Sequence, residues 1–158
     1  MLYQSDLDQA KTNLKSNAKW IQQVKRLQDR DVDNLFHEAH YKVFEEIDCL
    51  KCANCCKTTS PIFRDVDINR LSKRLKTNPS QFIANYLHMD NEGDYVLNSS
   101  PCVFLQEDNK CEVYEDRPLA CREYPHTNRK KVKQILSLTL KNTEVCPAVA
   151  RIFSKIKK

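Results

Sequence analysis

Four cysteines within eight residues constrain this chain more than any other feature of its sequence. They are Cys49, Cys52, Cys55 and Cys56, in the run Cys-Leu-Lys-Cys-Ala-Asn-Cys-Cys. The other four of the eight cysteines lie downstream, at Cys102, Cys111, Cys121 and Cys146. Clustered thiolates are typical metal ligands. The spacing therefore predicts that residues 49–158 are assembled around bound metal.

The first residues of the chain bear on its redox compartment. They read Met-Leu-Tyr-Gln-Ser-Asp, without the basic stretch and apolar run of a secretory signal. The chain also lacks a run of about 18 apolar residues that could span a membrane. We therefore expect a cytoplasmic protein with reduced thiols and no membrane contact. Because the number of cysteines is even, a disulfide framework remains an alternative.

The net charge of +5 is weak evidence for a nucleic-acid partner. Eight thiolates holding two divalent ions would bring the charge close to neutral. Two short predicted helices follow the cysteine run, but the second, from Pro79 to Leu87, has no Arg or Lys for base contacts. The sequence argues against nucleic acid, predicts metal ions as partners and leaves any protein partner unknown.

Apolar periodicity predicts a helix over residues 5–28, with Ser5 as N-cap, and a second over residues 32–47. The short break between them indicates an antiparallel hairpin. Asn78 and Cys146 each precede a proline, so both are predicted N-caps of later helices.

Short strands are predicted at residues 94–98, 102–105, 111–114 and 132–141, the middle two forming a hairpin. The predicted fold class is α+β and mainly helical. An N-terminal helical hairpin, residues 1–48, would pack on a small cysteine-rich metal-cluster domain, residues 49–158, with a short β-hairpin.

The cysteine spacing leaves the metal open. Four thiolates suit a closed tetrahedral zinc site, and eight cysteines allow two such sites. Cys49, Cys52 and Cys55 also match the first three ligands of the bacterial ferredoxin run, although its fourth cysteine is absent at that spacing. Cys56 directly follows Cys55, and neighbouring side chains diverge. Adjacent cysteines therefore favour two metals or a multinuclear centre, of zinc, iron or an iron–sulfur cluster.

Two other residue types lie near the predicted ligands. His37 and His40 are three positions apart on the second helix, and His40 is the better candidate for contact with a metal because it lies nearer the cysteine run. The alternative is a half-buried histidine. Arg117 and Arg122 flank cysteines, so their guanidinium groups are predicted to offset thiolate charge. The alternative is pairing with surface glutamates.

Three segments together resemble the bacterial YkgJ-type cysteine-cluster family. They are the Cys-x-x-Cys-x-x-Cys-Cys run, the stretch from Pro101 to Leu105, and Cys111 to Pro125 with its Arg-Pro and Cys-Arg pairs. The resemblance covers about residues 46–148. It implies chelation of zinc or iron by the cysteines from Cys49 to Cys121, together with Cys146. The family is also related to flagellin lysine N-methylases.

Two functions follow from this resemblance. The first is a metal-binding protein without catalysis of its own, which we favour because a chain with the single glycine Gly93 has no Gly-rich nucleotide loop. The alternative is an enzyme whose metal or cluster supports group transfer, such as methylation of a protein lysine. A redox-active cluster would favour the enzyme.

Overall fold

The computed structural model describes residues 2–157. The chain divides into two compact units, Met1–Cys52 with Pro125–Lys158, and Ala53–Tyr124. Most of the described residues are helical, and the sheet among them has two antiparallel strands. The predicted fold class, mainly helical α+β, is confirmed. No helix among residues 2–157 is long and apolar enough to cross a membrane.

The first unit is helical. Its α-helices are α1 Gln4–Thr12, α2 Leu14–Val24, α3 Asp29–Glu46 and α4 Cys49–Cys52, followed later by α9 Leu136–Asn142 and α10 Pro147–Ile156. A 3₁₀ turn, Val132–Ile135, precedes α9. Helix α10 packs on α1 and α3, and α9 packs on α2. The C-terminal residues thus complete the packing of the N-terminal helices, and the boundary between residues 48 and 49 stays a prediction.

Three aromatic rings form the centre of this first unit. Trp20, Phe36 and Phe153 come from α2, α3 and α10, with centroids 5.5–6.2 Å apart. Phe36 and Phe153 are buried from solvent. Such edge-to-face and tilted ring contacts stabilise a core beyond the area they bury.

Two helix predictions for this unit need correction. Residues 5–28 form two helices rather than one, because Asn13 leaves the helical region with ψ near 9° and ends α1. Helix α1 also begins at Gln4 after Tyr3, so Ser5 is not the N-cap. The strand predicted at residues 132–141 is wrong as well. Leu136, Thr139 and Asn142 are buried at every third position, which is a helical period.

The second unit has four short helices and the sheet. They are α5 Asn54–Thr58, α6 Asp65–Arg74, α7 Pro79–Tyr86 and α8 Leu119–Glu123, with strands β1 Leu87–Met89 and β2 Tyr95–Leu97 and a 3₁₀ turn at Tyr114–Asp116. The predicted N-cap Asn78 is confirmed, since its side chain accepts the Gln81 N–H at 2.9 Å. Strand β2 agrees with the prediction, whereas its partner β1 was not predicted.

The second unit has its own apolar core, into which two cysteines pack. The buried members are Phe63, Ile68, Leu71, Phe82, Leu87, Leu97, Phe104 and Val113. Cys102 and Cys111 are half-buried against this cluster. The predicted hairpin of residues 102–105 and 111–114 is reduced to a single bridge between Leu105 and Cys111. Turns occupy the middle of both segments in place of the predicted strands.

Candidate metal centre

The second unit carries five cysteines on four segments of chain. Cys55 and Cys56 lie on α5, Cys102 and Cys111 flank the turn at Gln106–Lys110, and Cys121 lies on α8. None of the eight cysteines, which all lie within residues 2–157, forms a disulfide. The disulfide alternative is therefore not found in this structure.

Backbone hydrogen bonds bring three of these segments together. The N–H of Cys102 donates to the carbonyl oxygen of Cys56 at 2.7 Å. The N–H of Glu112 donates to Phe104 O at 2.8 Å, which places Cys111 beside the segment that starts at Cys102. The fold of the main chain thus brings the segments of Cys56, Cys102 and Cys111 together.

Four cysteines of this unit lie close enough to affect one another's ionisation. Every pair among Cys56, Cys102, Cys111 and Cys121 interacts electrostatically through its sulfurs. Burial is the larger effect and raises the pKa of Cys102 and of Cys111, and the neighbouring thiols raise it further. Ionising one sulfur therefore makes it harder to ionise the next, which is the arrangement that a bound cation would relieve.

Cys121 combines an exposed surface with a strongly shifted pKa. The residue reaches solvent, yet the protein around its sulfur, together with the other three thiols, raises its pKa to about 12. Both desolvation and the neighbouring thiols disfavour the thiolate form of Cys121. Arg117 acts in the opposite sense.

Cys55 and Cys56 contact each other in spite of their adjacency. A hydrogen bond between the two thiols keeps the proton on Cys56 and raises its pKa well above the ordinary range, and burial adds to the shift. Cys56 is thus the member of the pair that belongs to the set of four, with Cys55 beside it.

The first unit has a group of three cysteines. Cys49 and Cys52 are the ends of α4, and Cys146 is the residue before α10, as predicted from Pro147. Cys52 and Cys146 are both 8% exposed. Burial raises the pKa of Cys146 to about 12, with contributions from Cys49 and Cys52, while the backbone of Val149 opposes the shift. This group thus combines two cysteines of one short helix with a third that lies 94 positions beyond Cys52 in the sequence.

The two predicted arginines differ in what they contact. Arg117 lies over the Tyr114 ring at 3.9 Å, and its positive charge lowers the pKa of Cys111 and Cys121 against the effect of burial. Arg122 donates to the carbonyl oxygen of Glu115 at 2.5 Å. Arg74 on α6 was not predicted, yet it also acts on Cys111. No sequence signal identifies it, since it lies 37 residues before that cysteine.

The two histidines make hydrogen bonds within the first unit. His37 Nε2 donates to Arg129 O at 2.7 Å, and His40 Nδ1 is hydrogen-bonded to the hydroxyl of Thr127 at 2.7 Å. Burial lowers the pKa of His40, and the nearby His37 lowers it further. Both histidines therefore have protein partners, as expected for the half-buried alternative.

An acidic group also meets the spacing of a metal site. Among residues 2–157, Asp90, Glu92 and Asp94 are the one group of three or more ligand side chains whose atoms all lie within 4.8 Å of one another. No three cysteine sulfurs in that range meet this limit. The acidic group is explained by its turn, because the Asp90 carboxylate accepts the N–H groups of Glu92 and Asp94 at 2.9 Å.

Comparison with known proteins identifies a family that shares this cysteine pattern. Residues 48–147 match the family model CxxCxxCC, described as a "putative zinc- or iron-chelating domain". That match covers more than half of the chain, so the protein belongs to the CxxCxxCC family of zinc- or iron-chelating domains. Metal binding through this domain is therefore its supported function.

The chain is also similar to a protein of Methanocaldococcus jannaschii that is itself uncharacterized. The two are 29% identical over 82 residues, which is 50% of this chain and 44% of the relative. The chain thus spans less than half the length of that relative. No solved structure matches the chain.

Proposed function

We propose that this protein chelates zinc or iron through thiolates, with Cys56, Cys102, Cys111 and Cys121 as the ligands of one centre. The observations that support this most are the pairwise electrostatic interactions among these four thiols and the backbone hydrogen bond that joins Cys102 to Cys56. Each comes from a different segment, so the fold, rather than a short local motif, brings them together. Four thiolates form a closed coordination set for a tetrahedral ion.

The donor atoms fit both metals named by the family. Thiolate sulfur is a soft ligand, and a set of four suits zinc or iron. A bound cation supplies the positive charge that lets all four thiols ionise at neutral pH. Arg117 and Arg74 add positive charge beside Cys111. These two arginines therefore offset part of the thiolate charge, and the proposed ligand set includes no carboxylate.

The remaining cysteines extend the proposal to all eight. Cys49, Cys52 and Cys146 supply three more thiolates within the first unit. Cys55, hydrogen-bonded to Cys56, is the eighth proposed ligand. The same proposal locates the protein in the reducing cytoplasm, where free thiols persist.

Metal analysis tests the proposal directly. Protein purified without oxygen is expected to contain at least one zinc or iron per chain, and a visible absorption spectrum separates colourless zinc from iron. Cys121→Ser removes one ligand of the proposed centre and should lower the metal content. Asp94→Asn is the matched control, because it alters the acidic group immediately before β2 and should leave the metal content unchanged.

Two results would contradict the proposal. One is eight freely alkylated thiols in native protein as purified. The other is a loss of metal in Asp94→Asn but not in Cys121→Ser, which would assign the metal to the carboxylates. The methylase alternative gains no support from the comparisons, since neither the family description nor the relative names an activity.

A further inference from the structure

Helix α6 carries no cysteine, yet one of its faces holds the chain between two proposed ligands. Residues 112–120 connect Cys111 to Cys121 and contain a 3₁₀ turn, Tyr114–Asp116, and the first two residues of α8. Arg70 donates from Nε to Asp116 O at 3.1 Å and from Nη2 to Arg117 O at 2.9 Å. These bonds satisfy carbonyl oxygens that no regular secondary structure would use.

Arg74 contacts the same segment one helical turn further along. Its Nη2 donates to the carbonyl oxygen of Glu112 at 2.9 Å, and its Nη1 donates to the carboxylate of Asp116 at 3.0 Å. Glu112 directly follows Cys111. A planar guanidinium that spans two acceptors fixes their separation, which a lysine ammonium does not do.

The helix side of these contacts is itself fixed by a buried carboxylate. Asp67 is fully buried, accepts Arg70 Nη2 at 2.8 Å and accepts the Leu119 N–H at 3.2 Å. Burial alone would raise the pKa of Asp67, but hydrogen bonds from the Arg64 backbone, Arg70 and Leu119 hold it below its ordinary value. Leu119 lies two residues before Cys121, so this carboxylate also contacts the far end of the segment.

We propose that Asp67, Arg70 and Arg74 are positioning residues that hold Cys111 and Cys121 in place for metal. This inference rests on the proposed function. Four residues of the connecting segment, Glu112, Asp116, Arg117 and Leu119, are bound by this helix face. The cost of ordering the two thiols is therefore met by folding rather than by metal binding.

Arg74 offers the sharpest test because its side chain is partly exposed and its neighbour provides a control. Arg74→Gln removes the contacts to Glu112 and Asp116. Lys73→Gln removes the same charge from an exposed position beside it on α6, whose side chain makes no hydrogen bond or ion pair with residues 112–120. Zinc affinity would be measured on the full chain by competition with a chelator, after thermal unfolding confirms that each variant is folded.

The expected result is a loss of about 10–100-fold in zinc affinity for Arg74→Gln, the scale for residues that support metal ligands. Lys73→Gln should bind zinc as the unmodified protein does. Arg74→Lys separates geometry from charge, since it keeps the charge but not the two-point contact. We expect it to resemble Arg74→Gln, and cobalt(II)-loaded protein should show an altered d–d spectrum in both variants, because that spectrum reports ligand geometry.

Equal zinc affinity in Arg74→Gln and Lys73→Gln would overturn the inference. Full rescue by Arg74→Lys would also overturn it, because charge alone would then account for the effect. If Arg70→Gln or Asp67→Asn fails to fold, the zinc affinities of the Arg74 variants still test whether this helix face positions the two cysteines. Failure of the proposed function looks different, since the unmodified protein would then bind no zinc or iron at its cysteines.

Discussion

The N–H of Cys102 donates a hydrogen bond to the carbonyl oxygen of Cys56 at 2.7 Å, across 46 positions of sequence. This bond joins the end of the Cys-x-x-Cys-x-x-Cys-Cys run to the first cysteine downstream of it. It involves main-chain atoms alone. The fold therefore brings the backbones of these two proposed ligands together independently of their side chains.

Metal removal should loosen the second unit unevenly. With a chelator and a reductant present, we expect hydrogen exchange to accelerate at residues 102–121, because three of the four proposed ligands lie there and would lose their bound cation. The amides of α6 should stay protected, because Ile68 and Leu71 of that helix belong to the apolar core of the second unit. Unchanged protection at residues 102–121 would show that metal does not order this segment.

Phe104 lies in the sequence between two proposed ligands, Cys102 and Cys111, and we expect it to contribute strongly to the stability of this segment. Phe104 stacks on Phe82 with centroids 6.3 Å apart and is 5% exposed. Phe104→Ala should cost about 3–5 kcal/mol of unfolding free energy, because it leaves a cavity in the core beside Cys102. Urea denaturation of the metal-loaded protein measures this cost.

Val103 provides the matched control for that substitution. It is the preceding residue and is 53% exposed. Val103→Ala should change stability by no more than about 0.5 kcal/mol, as expected of a surface site. Similar losses in the two variants would show that Phe104 does not anchor this segment.

The predictable part of the fold was the part governed by local rules. Asn78 with Pro79, and Cys146 with Pro147, are N-caps that the sequence identified because capping depends on a few adjacent residues. The strand at Tyr95–Leu97 was predicted for the same reason. Its partner, Leu87–Met89, was missed because it follows α7 without any turn residue.

The parts that could not be predicted depend on distant contacts. The sequence of residues 132–141 predicts a strand because its apolar residues are dense. In the structure this segment forms a 3₁₀ turn and α9, which packs on α2, a contact that the sequence does not indicate. The grouping of cysteines was also beyond the sequence. Cys55 and Cys56 are adjacent, and nothing local indicates that Cys56 interacts with Cys121. Arg74 reaches Glu112 across 38 positions, so its role depends wholly on tertiary structure.

An ion pair ties the two ends of the first unit together. Arg151 on α10 donates to both carboxylate oxygens of Asp6 on α1, at 2.7 and 3.0 Å, and these side chains are 24% and 13% exposed. Arg151→Gln should cost about 1–3 kcal/mol, because it leaves a largely buried carboxylate without its partner. Lys155→Gln is the control. Its partner Glu46 is half exposed and also contacts Arg151, so we expect a smaller loss of stability than for Arg151→Gln. Equal effects in thermal unfolding would mean that burial of Asp6 adds nothing.

The last prediction concerns pH and His40. Its ring packs on Phe44 with centroids 4.5 Å apart and is hydrogen-bonded to Thr127. Burial lowers its pKa, and the neighbouring His37 adds to the effect. The unfolded chain therefore takes up a proton at a higher pH than the folded protein does. Since an ordinary histidine titrates near about 6.5, stability should be complete above that pH and decrease as pH falls through the folded pKa.

Acid also protonates thiolates, so the contribution of His40 must be separated from loss of metal. His40→Gln and the unmodified protein, each loaded with metal, would be unfolded in urea at pH values from about 7.5 to 5. We expect the unmodified protein to lose stability more steeply than His40→Gln over this range, because only its histidine must take up a proton at a buried position. His88→Gln, at an exposed position of β1, should follow the unmodified protein. Identical slopes for His40→Gln and the unmodified protein would show that His40 takes up its proton as readily in the folded state as in the unfolded one.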